Sequence, residues 1–231
     1  MTRAVDAALE YAIPRIGITA ARLLDPDLVG QAHHPRGPAG RLTAWEMAHR
    51  PSNRRRCIWA VSLLDVQPTD QVLEIGYGPG VAIAALARVG AAHVYGVDHS
   101  GVMHHHATRR NAAAVRAGRV TLLRASVDEI PPEIGPFDAI LAVNALGFWS
   151  APTERLTRLR QQLTPGGCIA IVSQPRCPGA TAKTSRNAAR DIETLLIQAG
   201  LSNTRTQTLL LDPPAVCVIA TASPQNRGAE P

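Results

Sequence analysis

The sequence is poor in lysine and in aromatic residues. Its 231 residues include one lysine, Lys183, so the formal net charge of +6 arises almost entirely from arginine. Aromatic residues make up 3% of the chain, which is few for a surface that binds RNA by stacking on its bases. The arginines are spread along the chain, and the only tight cluster, Arg54-Arg55-Arg56, is interpreted as a solvated helix face. We therefore do not expect a nucleic acid as the partner.

Cysteine and long apolar runs are also scarce. The four cysteines are far apart in sequence and form no Cys-x-x-Cys pair, so they predict neither a zinc site nor a disulfide framework. The N-terminus carries Arg3, Asp6 and Glu10 in place of a secretory hydrophobic region. No apolar run approaches the ~20 residues of a membrane span. These absences predict a cytoplasmic protein with no membrane span.

A run of histidines, Met103-His104-His105-His106, raises the question of a metal site. Consecutive residues of a helix point about 100° apart, so three neighbouring histidines cannot converge on one ion. We therefore interpret the run as a solvent-facing one and predict no metal.

The stretch from Gln71 to Gly80, Gln-Val-Leu-Glu-Ile-Gly-Tyr-Gly-Pro-Gly, predicts a buried strand, a glycine loop and the start of a helix. Glycines allow sharp turns and the close approach of a ligand, and a helix N-terminus suits an anionic group. Val81-Ala82 stands where a P-loop requires Lys and Ser or Thr, which excludes that motif. The dinucleotide fingerprint is incomplete, because Val81 stands where its third glycine would be.

An acidic residue follows the next predicted strand. Asp98 ends the stretch that begins at His93 and lies 18 positions after Gly80. A carboxylate there can accept hydrogen bonds from both hydroxyls of a ribose, as in sites for several adenosine-containing cofactors. The alternative is that Asp98 only caps a strand–helix turn.

Strands and helices alternate from Asp70 onward, which is typical of a parallel α/β sheet. The predicted strands are Val72–Ile75, His93–Val97, Val120–Leu123, Ala139–Val143 and Cys168–Ser173, with a terminal antiparallel pair near Thr204–Leu211 and Ala215–Ala220. The predicted helices are Val5–Leu24 (interrupted at Pro14), Leu42–Arg50, Arg54–Leu64, Val81–Ala87, Ser100–Ala117, Ala151–Leu163 and Ser185–Ala199. We divide the chain into an N-terminal helical extension (1–66), a ligand-binding domain (67–222) and a disordered tail (223–231).

Three motifs in order identify a family resemblance. The loop has the form Glu-x-Gly-x-Gly-x-Gly, Phe137-Asp138 precedes the fourth strand, and Leu163-Thr-Pro-Gly-Gly167 precedes the fifth. Together they resemble class I S-adenosylmethionine-dependent methyltransferases over roughly residues 65–220. The resemblance implies a Rossmann-like sheet of seven strands with an antiparallel last strand, and S-adenosyl-L-methionine as cofactor.

The resemblance also implies roles for individual residues. The cofactor-binding set is Glu74, Gly76, Tyr77, Gly78, Gly80, Asp98, His99, Met103, Ser126, Val127 and Asn144. In that set the glycine loop holds the methionine end, Asp98 the ribose, and Ser126 or Asp128 the adenine amino group. Asn144 and Trp149 are the candidate catalytic residues beside the transferred methyl, together with Phe148.

Two departures from the family bear on the acceptor. Asn144 is followed by Ala-Leu, so the Pro-Pro-aromatic signature for methylating exocyclic amines of bases is absent. Gly147 stands where many small-molecule members carry a histidine, so that motif supplies no general base. We predict a small, apolar or aromatic acceptor. An RNA methyltransferase and a non-catalytic cofactor-binding protein are the alternatives, and an NAD oxidoreductase is the weakest of those considered.

The N-terminal segment lies outside the common methyltransferase sheet. It carries Tyr11, Ile13, Ile16, Trp45 and Met47, too much apolar surface to leave in water. We predict that it covers the carboxyl ends of the strands as a lid. The alternative is that it packs on the back of the sheet or forms a homodimer interface.

Overall fold

The structure is a computed structural model that describes residues 37–177 and 179–222. Seven strands form one sheet: β1 (Gln71–Ile75), β2 (His93–Val97), β3 (Val120–Leu123), β4 (Phe137–Val143), β5 (Leu163–Ser173), β6 (Leu201–Leu209) and β7 (Ala215–Ala222). The helices are α1 (Gly37–His49), α2 (Pro51–Ser62), α3 (Val81–Val89), α4 (Gly101–Arg110), α5 (Ala112–Arg116), α6 (Pro152–Gln161) and α7 (Ala182–Gln198).

The strand order is β3-β2-β1-β4-β5-β7-β6. Strands β1 to β5 pair in parallel, and β7 runs antiparallel to both of its neighbours, β5 and β6. This confirms the predicted Rossmann-like sheet of seven strands with an antiparallel last strand. The order reverses at β1, which lies between β2 and β4, and such a switch point is where open α/β sheets bind ligands.

Both faces of the sheet are covered, which explains why its strands are nearly continuous apolar runs. One face packs against α2 and α3 through Val72, Leu141 and Ala170. The other face packs against α6 and α7 through Ile140 and Ile171. Adjacent residues of a strand thus serve opposite layers of the core, as the pleat requires.

The two helices before the sheet differ from the prediction. Helix α2 begins at Pro51, not at Arg54, because proline is well suited to the first helical turn, where its missing N–H has no intrahelical partner. Its residue Ile58 is 49% exposed. Helix α1 begins at Gly37, before the predicted start at Leu42.

Helix α2 shares one core with the sheet through Cys57, Ala60 and Val61. The domain boundaries after residues 66 and 222 stay predictions. The predicted helices over residues 5–24, and the tail over 223–231, lie outside the described residues. Within the described part of the chain, no helix is long and apolar enough to cross a membrane.

The single helix predicted over Ser100–Ala117 is broken at Asn111. Its backbone has φ −103°, and it separates α4 from α5. The side chain is buried and its Nδ2 donates to the carbonyls of Gly80 (3.2 Å) and Ala107 (2.9 Å). The break therefore ties α4 to the end of the glycine loop.

Candidate active site

A cavity of about 1070 Å³ lies at the carboxyl ends of β1, β2, β4 and β5. Trp149 lines it, as do ten of the eleven predicted cofactor residues. These ten are Glu74, Gly76, Tyr77, Gly78, Asp98, His99, Met103, Ser126, Val127 and Asn144. The remaining residue, Gly80, is not part of the lining. The structure thus brings almost the whole predicted set to one place, while the role of each residue stays a prediction.

The three loop glycines have different reasons to be glycine. Gly76, Gly78 and Gly80 all have positive φ, at 71°, 52° and 73°, a region that other residues rarely adopt. A Cβ on Gly76 would lie 2.8 Å from the Cβ of Ala145, and one on Gly80 would lie 2.6 Å from Asn111 Nδ2. A Cβ on Gly78 would have no atom within 4 Å. Gly78 therefore leaves open space beside the cavity, whereas Gly80 permits close packing on α4.

Asp98 links the two loops that follow β1 and β2. Its Oδ2 accepts from the main-chain N–H of Gly78 and its Oδ1 from that of Ser100, both at 2.9 Å. Asp98 is 7% exposed, and burial raises the pKa of its carboxyl against the opposing effect of these two hydrogen bonds. Each oxygen has a further lone pair for a ligand hydroxyl, so the capping role and the ribose-binding role are compatible.

Glu74 is a buried acid under the glycine loop. It is 2% exposed, and its Oε2 has no hydrogen-bond partner among the described residues. Burial raises the pKa of Glu74 well above its usual range, repulsion from Asp98 adds to this, and a hydrogen bond from the main-chain N–H of Ile83 opposes it. An unused carboxyl oxygen beside the loop suits a positively charged group, so it fits the methionine end of S-adenosylmethionine, which carries an ammonium and a sulfonium.

The hydroxyl of Tyr77 forms hydrogen bonds within the protein. The side chain is buried, and its hydroxyl lies 2.9 Å from His104 Nδ1 and 3.3 Å from the carbonyl of Leu123. His104 therefore anchors the loop, which corrects the interpretation of the histidine run as purely solvent-facing; His105 is exposed. Among the described residues, no group of three or more His, Cys, Asp or Glu side chains could hold a metal ion.

Asn144 connects the ends of β4 and β5. Its Oδ1 accepts from the main-chain N–H of Gln174 at 2.7 Å, and its Nδ2 donates to the carbonyl of Gln174 at 3.3 Å. The residue has φ 54°, an uncommon conformation that this pair of bonds holds in place. The polar atoms of Asn144 thus bind the main chain, and its predicted place beside the methyl group stays a prediction. Phe148 and Trp149 line the same part of the site.

The adenine end contains both residues that the sequence left open. The carboxylate of Asp128 is held by Arg155 through a bidentate salt bridge, with Arg158 at 3.4 Å, and Arg155 lowers the pKa of Asp128. The Glu129 carboxylate accepts from the main-chain N–H of Ser126 at 2.7 Å. The Ser126 side chain in turn hydrogen-bonds to the Glu129 carboxylate. Both side chains are therefore engaged within the protein, and the choice between Ser126 and Asp128 as the adenine contact stays open.

One arginine of the cluster Arg54-Arg55-Arg56 is not solvated. Arg54 and Arg55 are exposed, but Arg56 is 5% exposed and lines the cavity. This corrects the interpretation of the cluster as a solvated helix face. The signal in the sequence was helical spacing, since Arg56 lies one turn before Ala60, which is fully buried on the core face of α2.

Comparison with known proteins identifies the domain. Residues 72–167 match the family model described as a methyltransferase domain. The chain carries a methyltransferase domain over these residues, and its fold is shared with solved S-adenosylmethionine-dependent methyltransferases. The match begins in β1 and ends at Gly167 in β5, so it spans the glycine loop, Asp98 and Asn144.

Proteins similar to this chain match between half and about three quarters of its length. An uncharacterized methyltransferase, YdaC of Bacillus subtilis (strain 168), is 29% identical over 164 residues, which are 70% of this chain and 88% of that protein. A protein-L-isoaspartate O-methyltransferase of Methylorubrum populi is 36% identical over 115 residues, half of each chain. The solved structure of the N-methyltransferase NodS from Bradyrhizobium japonicum, in complex with S-adenosyl-L-homocysteine, has a TM-score of 0.61 at 18% identity and covers 77% of this chain and 91% of its own.

Proposed function

We propose that the protein transfers a methyl group from S-adenosylmethionine to a small acceptor with an apolar or aromatic body. The supporting observation is a single cavity lined by the glycine loop and Asp98 and also by Phe148 and Trp149. Ile192 and Leu195 of α7 add aliphatic surface to the same cavity. Such a site can hold a cofactor and an apolar acceptor side by side.

The cofactor occupies the β1–β2 half of the cavity in this proposal. When bound, S-adenosylmethionine supplies a methyl group already activated on a sulfonium sulfur. Its methionine end lies against Glu74, Gly76 and Gly78, its ribose against Asp98 and His99, and its adenine against Met103, Ser126 and Val127. Tyr77 and Gly80 shape the loop through their packing.

The protein contributes alignment and a dry site. Asn144 fixes the ends of β4 and β5 through Gln174, and Trp149 and Phe148 bound the acceptor side. Holding two reactants in line removes much of the entropic barrier to a displacement, so positioning is the main catalytic contribution expected here. A base is needed only when the accepting atom carries a proton that must leave.

The first test is cofactor binding by calorimetry. We expect S-adenosylhomocysteine to bind in the micromolar range, roughly −8 kcal/mol, and NAD to give no heat. The second test is transfer of a labelled methyl group to a panel of small aromatic and aliphatic acceptors. Tight NAD binding without a response to S-adenosylhomocysteine would refute the proposal, as would incorporation of the label into RNA alone. Cofactor binding without turnover on any acceptor would favour a non-catalytic role.

A further inference from the structure

Besides Arg155, which pairs with Asp128, three arginines line the cavity. Arg50 precedes the first residue of α2, Arg56 lies in the middle of α2, and Arg176 lies in the loop after β5. Arg50 forms a salt bridge with Glu46, which is itself buried. The positive charge of Arg50 therefore has a counterion.

Arg56 has no such counterion among the described residues. Its Nη1 donates to Gln174 Oε1 and its Nη2 to Asn53 Oδ1, both at 2.5 Å. Both acceptors are neutral amide oxygens, and no carboxylate of the described chain lies within ion-pair distance. The Nε–H is buried without a partner in the described chain, and each terminal nitrogen has one further N–H.

This arrangement is costly without an anion. Burial of Arg56 lowers its pKa, and repulsion from Arg50 adds to that effect. A charge buried without a counterion destabilises a protein, whereas a charge paired with an ionised ligand does not carry that penalty in the complex. The guanidinium also has the planar fork that binds a carboxylate by two parallel hydrogen bonds.

Four carboxyl groups also line the cavity, and none of them forms an ion pair with Arg56. Asp128 pairs with Arg155, Asp98 accepts from two main-chain N–H groups, and Glu74 lies under the glycine loop. Asp191 of α7 is exposed and forms no ion pair within the described part of the chain. None of these groups neutralises Arg56.

The position of Arg56 points to the acceptor rather than to the cofactor. Its partner Gln174 follows β5, and β5 is separated from β1 and the glycine loop by β4. At a strand spacing of about 4.8 Å, β5 lies about 10 Å from β1. Arg176 Nη2 donates to the same Gln174 Oε1 at 2.9 Å, so two arginines share one amide at the acceptor side.

We propose that the methyl acceptor carries a carboxylate, bound by Arg56 together with Arg176, while Phe148 and Trp149 hold its apolar body. This inference rests on the proposed methyltransferase function and narrows its substrate class to small aromatic or aliphatic acids. It assigns Arg56 a direct contact with the acceptor, and Gln174 the role of orienting both arginines.

The test uses the full chain saturated with S-adenosylhomocysteine and matched acid–amide pairs: benzoate with benzamide, and phenylacetate with phenylacetamide. Binding is measured by calorimetry at constant ionic strength. We expect at least one acid to bind about tenfold or more tightly than its amide, which is about 1.4 kcal/mol. Equal affinity within both pairs, or no binding of either acid, would overturn the inference.

Three variants identify the arginine. Arg56→Gln is expected to reduce the acid's affinity to that of the amide, and Arg176→Gln to weaken it in part. Arg55→Gln is the matched control, because Arg55 is on the same helix, exposed and outside the cavity lining. Melting curves show which variants stay folded. If a variant fails to fold, the acid–amide comparison in the parent protein still tests the inference, because it requires no substitution.

S-Adenosylhomocysteine affinity separates this inference from the proposed function. If Arg56→Gln weakens it about tenfold or more, Arg56 serves the carboxylate of the cofactor and the inference is wrong. If the parent protein does not bind S-adenosylhomocysteine at all, the proposed function itself fails. Binding of the cofactor product with no preference for acids refutes the acceptor inference alone.

Discussion

Substituting alanine at two glycines of the same loop should affect two different properties, with Gly80→Ala mainly lowering stability and Gly78→Ala mainly weakening ligand binding. Gly80→Ala places a methyl group 2.6 Å from Asn111 Nδ2 and 2.9 Å from Ala107 Cβ, at φ +73°. Left-handed backbone costs a non-glycine residue about 1–2 kcal/mol, and overpacking costs about 1–3 kcal/mol. We therefore expect Gly80→Ala to lower the free energy of unfolding by about 2–5 kcal/mol.

Gly78→Ala has the same backbone cost but no steric one. Its φ is +52°, and the added methyl group would meet no atom within 4 Å, so we expect a loss of only about 1–2 kcal/mol. Gly78 lines the cavity and Gly80 does not. The methyl group on Gly78 should therefore obstruct the ligand, reducing S-adenosylhomocysteine affinity about tenfold or more, or about 1.4 kcal/mol.

Urea denaturation gives the stabilities and calorimetry of the folded variants gives the affinities. Asn111→Ala supplies a further check, because it removes the atom nearest to the new methyl group. The double variant Gly80→Ala/Asn111→Ala should therefore lose less stability than the sum of the losses in the two single variants. A larger stability loss for Gly78→Ala than for Gly80→Ala would refute the reasoning. So would a greater loss of ligand affinity in folded Gly80→Ala than in Gly78→Ala.

Three further predictions concern the acids of the site and the N-terminal segment. Asp98→Ala should weaken S-adenosylhomocysteine binding by about 1–3 kcal/mol in a folded protein; unchanged binding with earlier melting would make Asp98 only a cap. The raised pKa of Glu74 means that the native state retains a proton that the unfolded state has lost, so stability falls as pH rises above about 4.3 toward the folded pKa. Glu74→Gln should therefore gain stability relative to the parent as the pH rises above about 4.3, and a pH-independent difference in urea denaturation would contradict this. Deleting residues 1–40 should leave cofactor binding intact and reduce methyl transfer by orders of magnitude if the segment is a lid, whereas full activity would exclude the lid and a shift from dimer to monomer would indicate an interface.

Much of the sheet was predictable because its signals are local. Each parallel strand contains a short apolar run, and the glycine loop and Asp98 directly follow β1 and β2. The Pro-Gly-Gly motif, predicted to precede the fifth strand, lies near the start of β5, which begins at Leu163 and not at Cys168. Parallel strands bring their carboxyl ends to one edge, so residues that follow different strands meet in one cavity without any knowledge of distances. This is why almost all of the predicted cofactor residues line it.

What could not be predicted depends on contacts between distant segments. The break at Asn111 arises because its side chain reaches the carbonyl of Gly80, 31 positions away. Asn144 lines the cavity, and its amide group also binds the main chain of Gln174, 30 positions away, which the sequence did not indicate. In both cases a polar side chain completes a loop, and the partner becomes visible only when the strands are in register.

Arg56 shows the same limit with a functional consequence. Arg54 and Arg55, its two neighbours, are exposed. Helical spacing places Arg56 on the buried face of α2, but burying its charge is unfavourable without partners, so the sequence alone favours a solvated side chain. The partner, Gln174, lies 118 positions away and reaches Arg56 because α2 packs beside the end of β5. An arginine held by amide oxygens keeps its positive charge available to an anion, whereas one paired with a carboxylate would be neutralised. Arg56, which the sequence pattern predicted wrongly, is therefore also the residue whose charge is buried unfavourably in the fold. Such a departure from the usual rules is expected where a site binds a ligand.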